Sequence, residues 1–376
     1  MKIRKNIAFK ALTVAFCLTF TLLSSLILAA CDNGEWGKYD ETAVETLSFR
    51  ENSDSFTILQ LTDTQIRSVD QLDYMQESVA ELVEAAKPDL IVITGDSVWK
   101  ENTKAVLAEF VKVMDGFKVP HALIFGNHDL EGDAKVEDFT HYYNQSKYGI
   151  FHTGPEGIFG NSNYQINIKK GEKIVYSLIL LDSGAYYNYV AGGKNYNWIH
   201  DDQVDYYEWC IKGVSKAVYG SFNPDKGKVV PSLMFYHIPQ QEFWDSRQKM
   251  LADYGLNVPA PDGSVATETD DDVDYDERLY PRERSKIVAK ALELQSTKAM
   301  FVGHIHRDRS VYNHNGLWLI QGLKTLTTYS YYGCETGETP AEIGGTAITI
   351  KADGSFDWNR VYSSAKFADN AIDRHK

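Results

Sequence analysis

Short apolar runs recur along the chain, and each stops abruptly at Asp, Asn or His. They are Phe56 to Asp63, Leu90 to Asp96, Ala122 to Asn127, Ser232 to His237 and Ala299 to His304. Such runs, rich in Ile, Val, Leu and Phe, predict strands buried on both faces. Between them, residues 73–87, 102–116, 202–218 and 282–294 predict helices. In the first of these, Leu72, Met75, Val79, Leu82 and Val83 fall at helical spacing. Strands alternating with helices predict an α/β fold, in which ligand-binding residues gather beyond the carboxyl ends of the strands. Near the C-terminus, Thr346 to Ile350 and Phe356 to Val361 flank Asp353-Gly354, a hairpin signal.

The first thirty residues do not fit this scheme. Lys2, Arg4, Lys5 and Lys10 precede the apolar run from Ala11 to Ala30. A basic start followed by an apolar stretch predicts an export signal, with an uncleaved membrane helix as the alternative. Leu28-Ala29-Ala30-Cys31 resembles the lipobox of bacterial lipoproteins. That resemblance implies cleavage before Cys31, lipid on its sulfur, and a membrane-anchored protein on the extracytoplasmic side. The chain then divides into a signal peptide (1–30), a polar tether (31–50), one folded domain (51–365) and a polar tail (366–376).

Composition narrows the function classes. The chain has 376 residues, 43% hydrophobic and 24% charged, which suits a folded globular protein. Its formal charge is −14, and the leader contains only basic charges, so the remainder is more acidic still. Duplex nucleic acid is excluded as a partner, because phosphate contacts need clustered Lys and Arg. Any anionic ligand must be attracted by something other than net side-chain charge. The four cysteines (Cys17, Cys31, Cys210, Cys334) are too few and too scattered for a disulfide scaffold or a thiolate zinc site. Cys210 and Cys334 either pair or stand as two thiols.

The residues that end the apolar runs are all metal donors. Gly95, Gly126 and Gly303 each sit just before one of them, where a missing Cβ lets another group approach closely. Taken singly, a Gly-Asp is a turn, Asn-His-Asp a loop or cap, and His237 a core histidine. His304 and His306, spaced i and i+2, place two imidazoles on one side of an extended segment. All of these pieces, in order and each at a strand end, converge on one site.

In this order the residues resemble the motifs of the calcineurin-like metallophosphoesterases: D-x-H, GD, GNH[DE], a later His and GHxH. Here they read Asp63-Thr64-Gln65, Gly95-Asp96, Gly126-Asn127-His128-Asp129, His237 and Gly303-His304-Ile305-His306. The stretches Tyr236-His237-Ile238-Pro239 and Leu181-Asp182-Ser183-Gly184 are similar to the branch that includes plant and fungal purple-acid-phosphatase-like proteins. The resemblance covers residues 55 to 350 and implies a four-layered αββα sandwich. It also implies two divalent ions (Mn, Fe or Zn) bridged by Asp96, one with Asp63, Gln65 and His306, the other with Asn127, His237 and His304. Two ions about 3.5–4 Å apart clamp phosphoryl oxygens and activate water, and their charge answers the puzzle of an acidic protein with an anionic substrate. His128 would protonate the leaving oxygen, and Asp129 would either orient its ring or cap a loop.

The chain departs from the family pattern at two positions. Trp99 stands where purple acid phosphatases carry an iron-binding tyrosine. Gln65 replaces a histidine, and an amide oxygen is a harder ligand than imidazole. The implied activity is hydrolysis of a small phosphate ester, monoesters before diesters, with a phosphodiesterase or nucleotidase as the alternative among enzymes. A non-catalytic surface lipoprotein that binds glycan or nucleotide is the reading from another class. Two further segments bear on this. Residues 184–209 hold Tyr186, Tyr187, Tyr189, Tyr196, Trp198, Tyr206, Tyr207 and Trp209, and Tyr329, Tyr331 and Tyr332 follow later. These aromatics predict either a stacking surface or the packed core of a cap. Residues 262–277 hold Asp270, Asp271, Asp272, Asp274, Asp276 and Glu277, a calcium loop or a solvated surface run.

Overall fold

The structure, a computed structural model, describes residues 36–190, 193–268, 277–326, 329–330, 333–334 and 343–364. The leader, Cys31, the acidic residues 270–276, Tyr331, Tyr332 and the tail from 365 lie outside them. Alternating burial of successive side chains sets the architecture. In β2 (Ser55–Leu61), β3 (Leu90–Thr94) and β4 (His121–Ile124), Ile58, Leu90, Val92, Ala122 and Ile124 join one hydrophobic core. Leu59, Leu61, Ile91, Ile93 and Leu123 join the other. A strand with period two that is apolar at every position must be covered on both sides.

These strands form a six-stranded sheet in the order β17 (Phe356–Tyr362), β16 (Gly344–Lys351), β2, β3, β4 and β5 (Gly149–Ile150). From β2 to β5 the strands are parallel, and β16 and β17 add the expected antiparallel hairpin on the far edge. The second sheet has seven strands. Its order is β1 (Glu45–Ser48), β6 (Tyr164–Lys170), β7 (Lys173–Leu180), β10 (Ser232–Phe235), β11 (Thr297–Val302), β13 (Leu317–Gln321) and β12 (Val311–His314). Helices α1 (Leu72–Ala86), α2 (Thr103–Gly116) and α3 (Val136–Gln145) cover the outer face of the first sheet. Helices α4 (Asp201–Tyr219), α5 (Gln241–Asp253) and α6 (Ile287–Leu294) pack against the core of the second. The result is helices, sheet, sheet, helices. Short pairs β8 (Tyr186–Asn188) with β9 (Lys194–Tyr196), and β14 (Tyr329–Ser330) with β15 (Gly333–Cys334), stand outside the layers.

Buried polar links fix how the sheets face each other. The Gln60 amide on β2 donates to the Val302 carbonyl on β11 at 2.9 Å, and the Tyr164 hydroxyl on β6 donates to the Leu123 carbonyl on β4 at 2.7 Å. Each satisfies a group that would be costly to bury alone.

Two expectations need correction. The described part of the polar tether, from Trp36, is packed rather than loose: β1 pairs in parallel with β6, and Phe49 is buried. Trp36 meets Tyr206 and Trp209 edge-on at 5.7 and 6.3 Å. The last predicted helix begins only at Ile287, behind Ser285, whose hydroxyl donates to the Ile199 carbonyl and accepts from the Ile287 N–H. The β6–β7 hairpin, α3 and α5 are not among the elements the sequence predicts. Cys210 is a free, buried thiol whose pKa burial pushes up to about 12.

Candidate metal centre

Strands β2 and β3 of one sheet and β10 and β11 of the other end at the same edge. Just beyond those ends, carboxylate oxygens of Asp63 and Asp96 and an imidazole nitrogen of His237 lie within 4.8 Å of one another. The backbone turns sharply to place them. Asp63 (φ 54°), Gln65 (φ 45°), Asp96 (φ 53°) and His304 (φ 77°) all adopt left-handed conformations, which non-glycine residues rarely do and which cluster at functional sites. At His304 the Ile305 N–H donates to the Gly303 carbonyl at 2.9 Å, closing a γ-turn of the strained hand. The segment is therefore not extended as expected, and the two imidazoles are not ranged along one side of a strand. Gly126 and Gly303 are needed for close approach. A Cβ on Gly126 would lie 2.2 Å from Asp96 Oδ1, and one on Gly303 would lie 2.0 Å from Thr62 Oγ1.

Each predicted ligand can be located. Asp96 is 1% exposed. Its Oδ2 lies 3.3 Å from His237 Nε2 and 3.3 Å from the Gln65 amide nitrogen, and its Oδ1 accepts the His128 N–H at 2.8 Å. His237 Nε2 is also 3.2 Å from Asn127 Oδ1 and 4.0 Å from Asp63 Oδ1. His306 Nε2 approaches Asp63 Oδ1 to 3.4 Å. His304 is buried 5.3 Å, centroid to centroid, from the His237 ring. Opposite charges buried together shift one another at this site. Burial opposes charge on Asp63 and Asp96, but His237, with His306 or His128, holds both below the usual carboxylate range. Burial alone would depress His237, yet Asp96 and Asp63 push it up to about 10. Burial and the charge on His237 take His304 down to about 3.

A divalent ion fits these residues. His304 Nε2 is buried without a hydrogen-bond partner, and an orphaned acceptor of this kind suits a metal ligand. Carboxylate, amide and imidazole donors together suit first-row divalent metals.

The acid position differs from expectation. Asp129 does not touch the His128 ring. Its carboxylate accepts the backbone N–H groups of Gly126, Asp96, Ser97 and Val98 at 2.7–3.2 Å, clamping the β3 and β4 loops together. Burial and the Asp96 charge raise its pKa to about 6. Asp129→Ala would leave four buried donors unsatisfied, so a loss of about 3–5 kcal/mol in denaturant unfolding is expected. A stability unchanged within about 1 kcal/mol would refute the clamp.

Glu131, which sequence reasoning missed, is the partner of His128, with Oε2 at 2.6 Å from Nδ1. The same oxygen accepts the Trp99 indole N–H at 3.2 Å, and the Trp99 ring lies 4.7 Å from the imidazole. The residue in the tyrosine's place thus braces the acid. The available signal was the i, i+3 spacing of His128 and Glu131. Burial pulls His128 down, but Asp96 and Glu131 raise it above the ordinary histidine value.

The aromatic segment divides between the two readings. Tyr206, Tyr207 and Trp209 on α4 pack into the core or its margin. Tyr196 on β9 reaches the site, its ring 4.2 Å from His304, and Tyr186 stacks on Tyr196 at 5.3 Å. Lys194 lies 3.4 Å over Tyr186. This ladder packs upon itself from Lys194 to His304.

Comparison with known proteins agrees with this geometry. The family model described as calcineurin-like phosphoesterase matches residues 56–308. The chain is 28% identical over 244 residues to "Probable inactive purple acid phosphatase 29" of Arabidopsis thaliana, covering 61% of this chain and 57% of the relative. It is 29% identical over 182 residues to "Phosphatase DCR2" of Saccharomyces cerevisiae, covering 46% of this chain and 30% of the relative. Both matches span well under two thirds of those relatives. A dimetal phosphatase from Danio rerio shares the fold with a TM-score of 0.50 at 11% identity, covering 82% of this chain and 96% of that one.

Proposed function

The chain belongs to the calcineurin-like phosphoesterase family, and we propose that it is an exported, lipid-anchored, metal-dependent phosphoesterase acting on small phosphate esters, monoesters in preference to diesters. The observation that carries this reading is the meeting of Asp63, Asp96, Asn127, His237 and His304 at one edge, beside an imidazole that has its own carboxylate. Asp96, Asn127, His237 and His304 would hold a divalent ion (Mn, Fe or Zn), with Asp63 and His306 beside it. When bound, the ion supplies charge that holds phosphoryl oxygens and lowers the pKa of water.

The chain's own residues do the rest. His128 stands at the edge of the site with Nε2 3.8 Å from Asp96 Oδ2, and it gives its proton to the departing oxygen. Glu131 fixes the ring through Nδ1 and, with Asp96, raises its pKa, which favours the protonated imidazole. Trp99 covers one side of that ring.

Metal content, together with turnover of p-nitrophenyl phosphate and its bis-ester, tests the proposal. Tight metal binding with no turnover of either ester would instead support a non-catalytic surface binder of glycan or nucleotide. Gln65, and the word inactive in the name of the Arabidopsis relative, favour keeping that second reading. For the anchor, labelled lipid should attach to the wild type and vanish in Cys31→Ser, which should remain unprocessed. A normally cleaved, soluble Cys31→Ser product would mean an ordinary signal peptide. Among the described residues no helix is long and apolar enough to cross a membrane.

A further inference from the structure

The two imidazoles that flank Asp63 are held in opposite tautomers. His237 Nδ1 lies 2.7 Å from the Thr94 carbonyl oxygen. A carbonyl only accepts, so Nδ1 carries hydrogen and Nε2 is the nitrogen that can turn a lone pair to a cation. His306 is arranged the other way. Its Nδ1 lies 3.1 Å from Lys324 Nζ, and an ammonium offers three donors and no acceptor. Nδ1 therefore accepts, Nε2 carries the hydrogen, and that N–H faces Asp63 Oδ1 across 3.4 Å. An imidazole held this way has no lone pair for an ion on its Nε2 side.

Lys324 is placed firmly. It is 1% exposed, so its ammonium cannot swing into water. Its neighbour Thr325 is tied twice to the end of β2: the Thr325 N–H donates to the Thr62 carbonyl at 2.9 Å, and the Thr62 N–H donates to Thr325 Oγ1 at 3.0 Å. Thr62 directly precedes Asp63, so the loop that carries Lys324 and the carboxylate move as one piece. On the same side, Gln65 turns its amide nitrogen, not its oxygen, toward Asp96 Oδ2. Gln65 and His306 thus present hydrogen-bond donors where the family would present metal ligands.

We propose that Lys324, through His306 and together with Gln65, closes the Asp63 side to a resident cation, so that the protein holds a single divalent ion at Asp96, Asn127, His237 and His304. The proposal rests on the metal-dependent reading above and deepens it. The ammonium of Lys324 then supplies positive charge on that side for an anionic phosphate ester, and the His306 N–H supplies a hydrogen-bond donor. Lys324 is a positioning residue, because it acts through the His306 ring.

The test is a Mn(II) titration of the full chain, followed by elemental analysis and electron paramagnetic resonance, neither of which depends on turnover. The wild type should bind about one ion per chain, with the resolved hyperfine pattern of an isolated Mn(II). Lys324→Met keeps length and burial but removes the donor, and Lys324→Met with Gln65→His restores an imidazole as well. The double variant should take up a second ion, and its spectrum should become that of a spin-coupled pair. Lys324→Arg retains charge and donors and should remain at one. A coupled pair in the wild type would overturn the proposal without any variant having to fold. So would a folded double variant that stays at one ion. Absence of any bound metal in the wild type would instead overturn the metal-dependent reading itself.

Discussion

Asp96→Asn should strip the protein of bound metal and lower turnover of p-nitrophenyl phosphate by at least about 10³-fold, roughly 4 kcal/mol of transition-state stabilisation. Asp96 lies within 3.3 Å of both His237 Nε2 and the Gln65 amide, and its other oxygen takes the His128 N–H. The substitution removes a buried negative charge and can turn an N–H toward the place where an ion would sit. Two costs therefore combine, lost attraction and a misdirected donor. The fold should survive, because Asn keeps the shape of Asp and an oxygen that can still accept the His128 N–H. Elemental analysis of a variant that still melts cooperatively is the measurement. Full metal content in folded Asp96→Asn would remove the basis of the site.

The second large effect separates the acid from the ligands. His128→Ala should slow esters of ordinary alcohols by about 10²–10⁴-fold, the usual contribution of a positioned acid. Esters of p-nitrophenol should barely change, since that group leaves well without a proton. Glu131→Gln should act in the same direction but more weakly, and it should also alter the pH profile. Glu131 raises the His128 pKa in the folded protein, and a general acid loses activity as pH rises through its pKa. Without the carboxylate that pKa falls, so the alkaline limb of the rate profile should move toward lower pH. Equal losses on both ester types in His128→Ala would assign the ring to binding instead. An unmoved limb in Glu131→Gln would show that the carboxylate does not act through His128.

The positions of Asp63, Asp96, Asn127, His237 and His304 were legible in the sequence because each closes a run whose burial pattern is local. A strand buried on both faces must be apolar throughout, and the residue that ends it stands at the sheet edge whatever the neighbouring strands do. The same logic located β16 and β17 on either side of Asp353-Gly354. It missed β6 and β7, which lie between β1 and β10 in the second sheet, although Asp182 stands just beyond β7. It misjudged the tether because the sequence around Trp36, Tyr39 and β1 shows no periodicity. What fixes that segment is contact with α4 and β6, more than a hundred residues away.

Partner choice inside the site was decided by tertiary structure. From sequence, Asp129 is the nearer carboxylate to His128. In the fold it is consumed by four backbone donors from the β3 and β4 loops, and Glu131, two residues further, takes the imidazole. Lys324 lies 18 residues beyond His306, and the Thr62–Thr325 tie helps bring its ammonium to that ring. The sequence by itself determined which side chains reach the sheet edge, because burial along a strand follows a period of two. Which nitrogen of a histidine carries the proton, and which carboxylate answers it, depends on approaches of about 3 Å between segments remote in the chain. Such distances come from packing, and no local pattern encodes them.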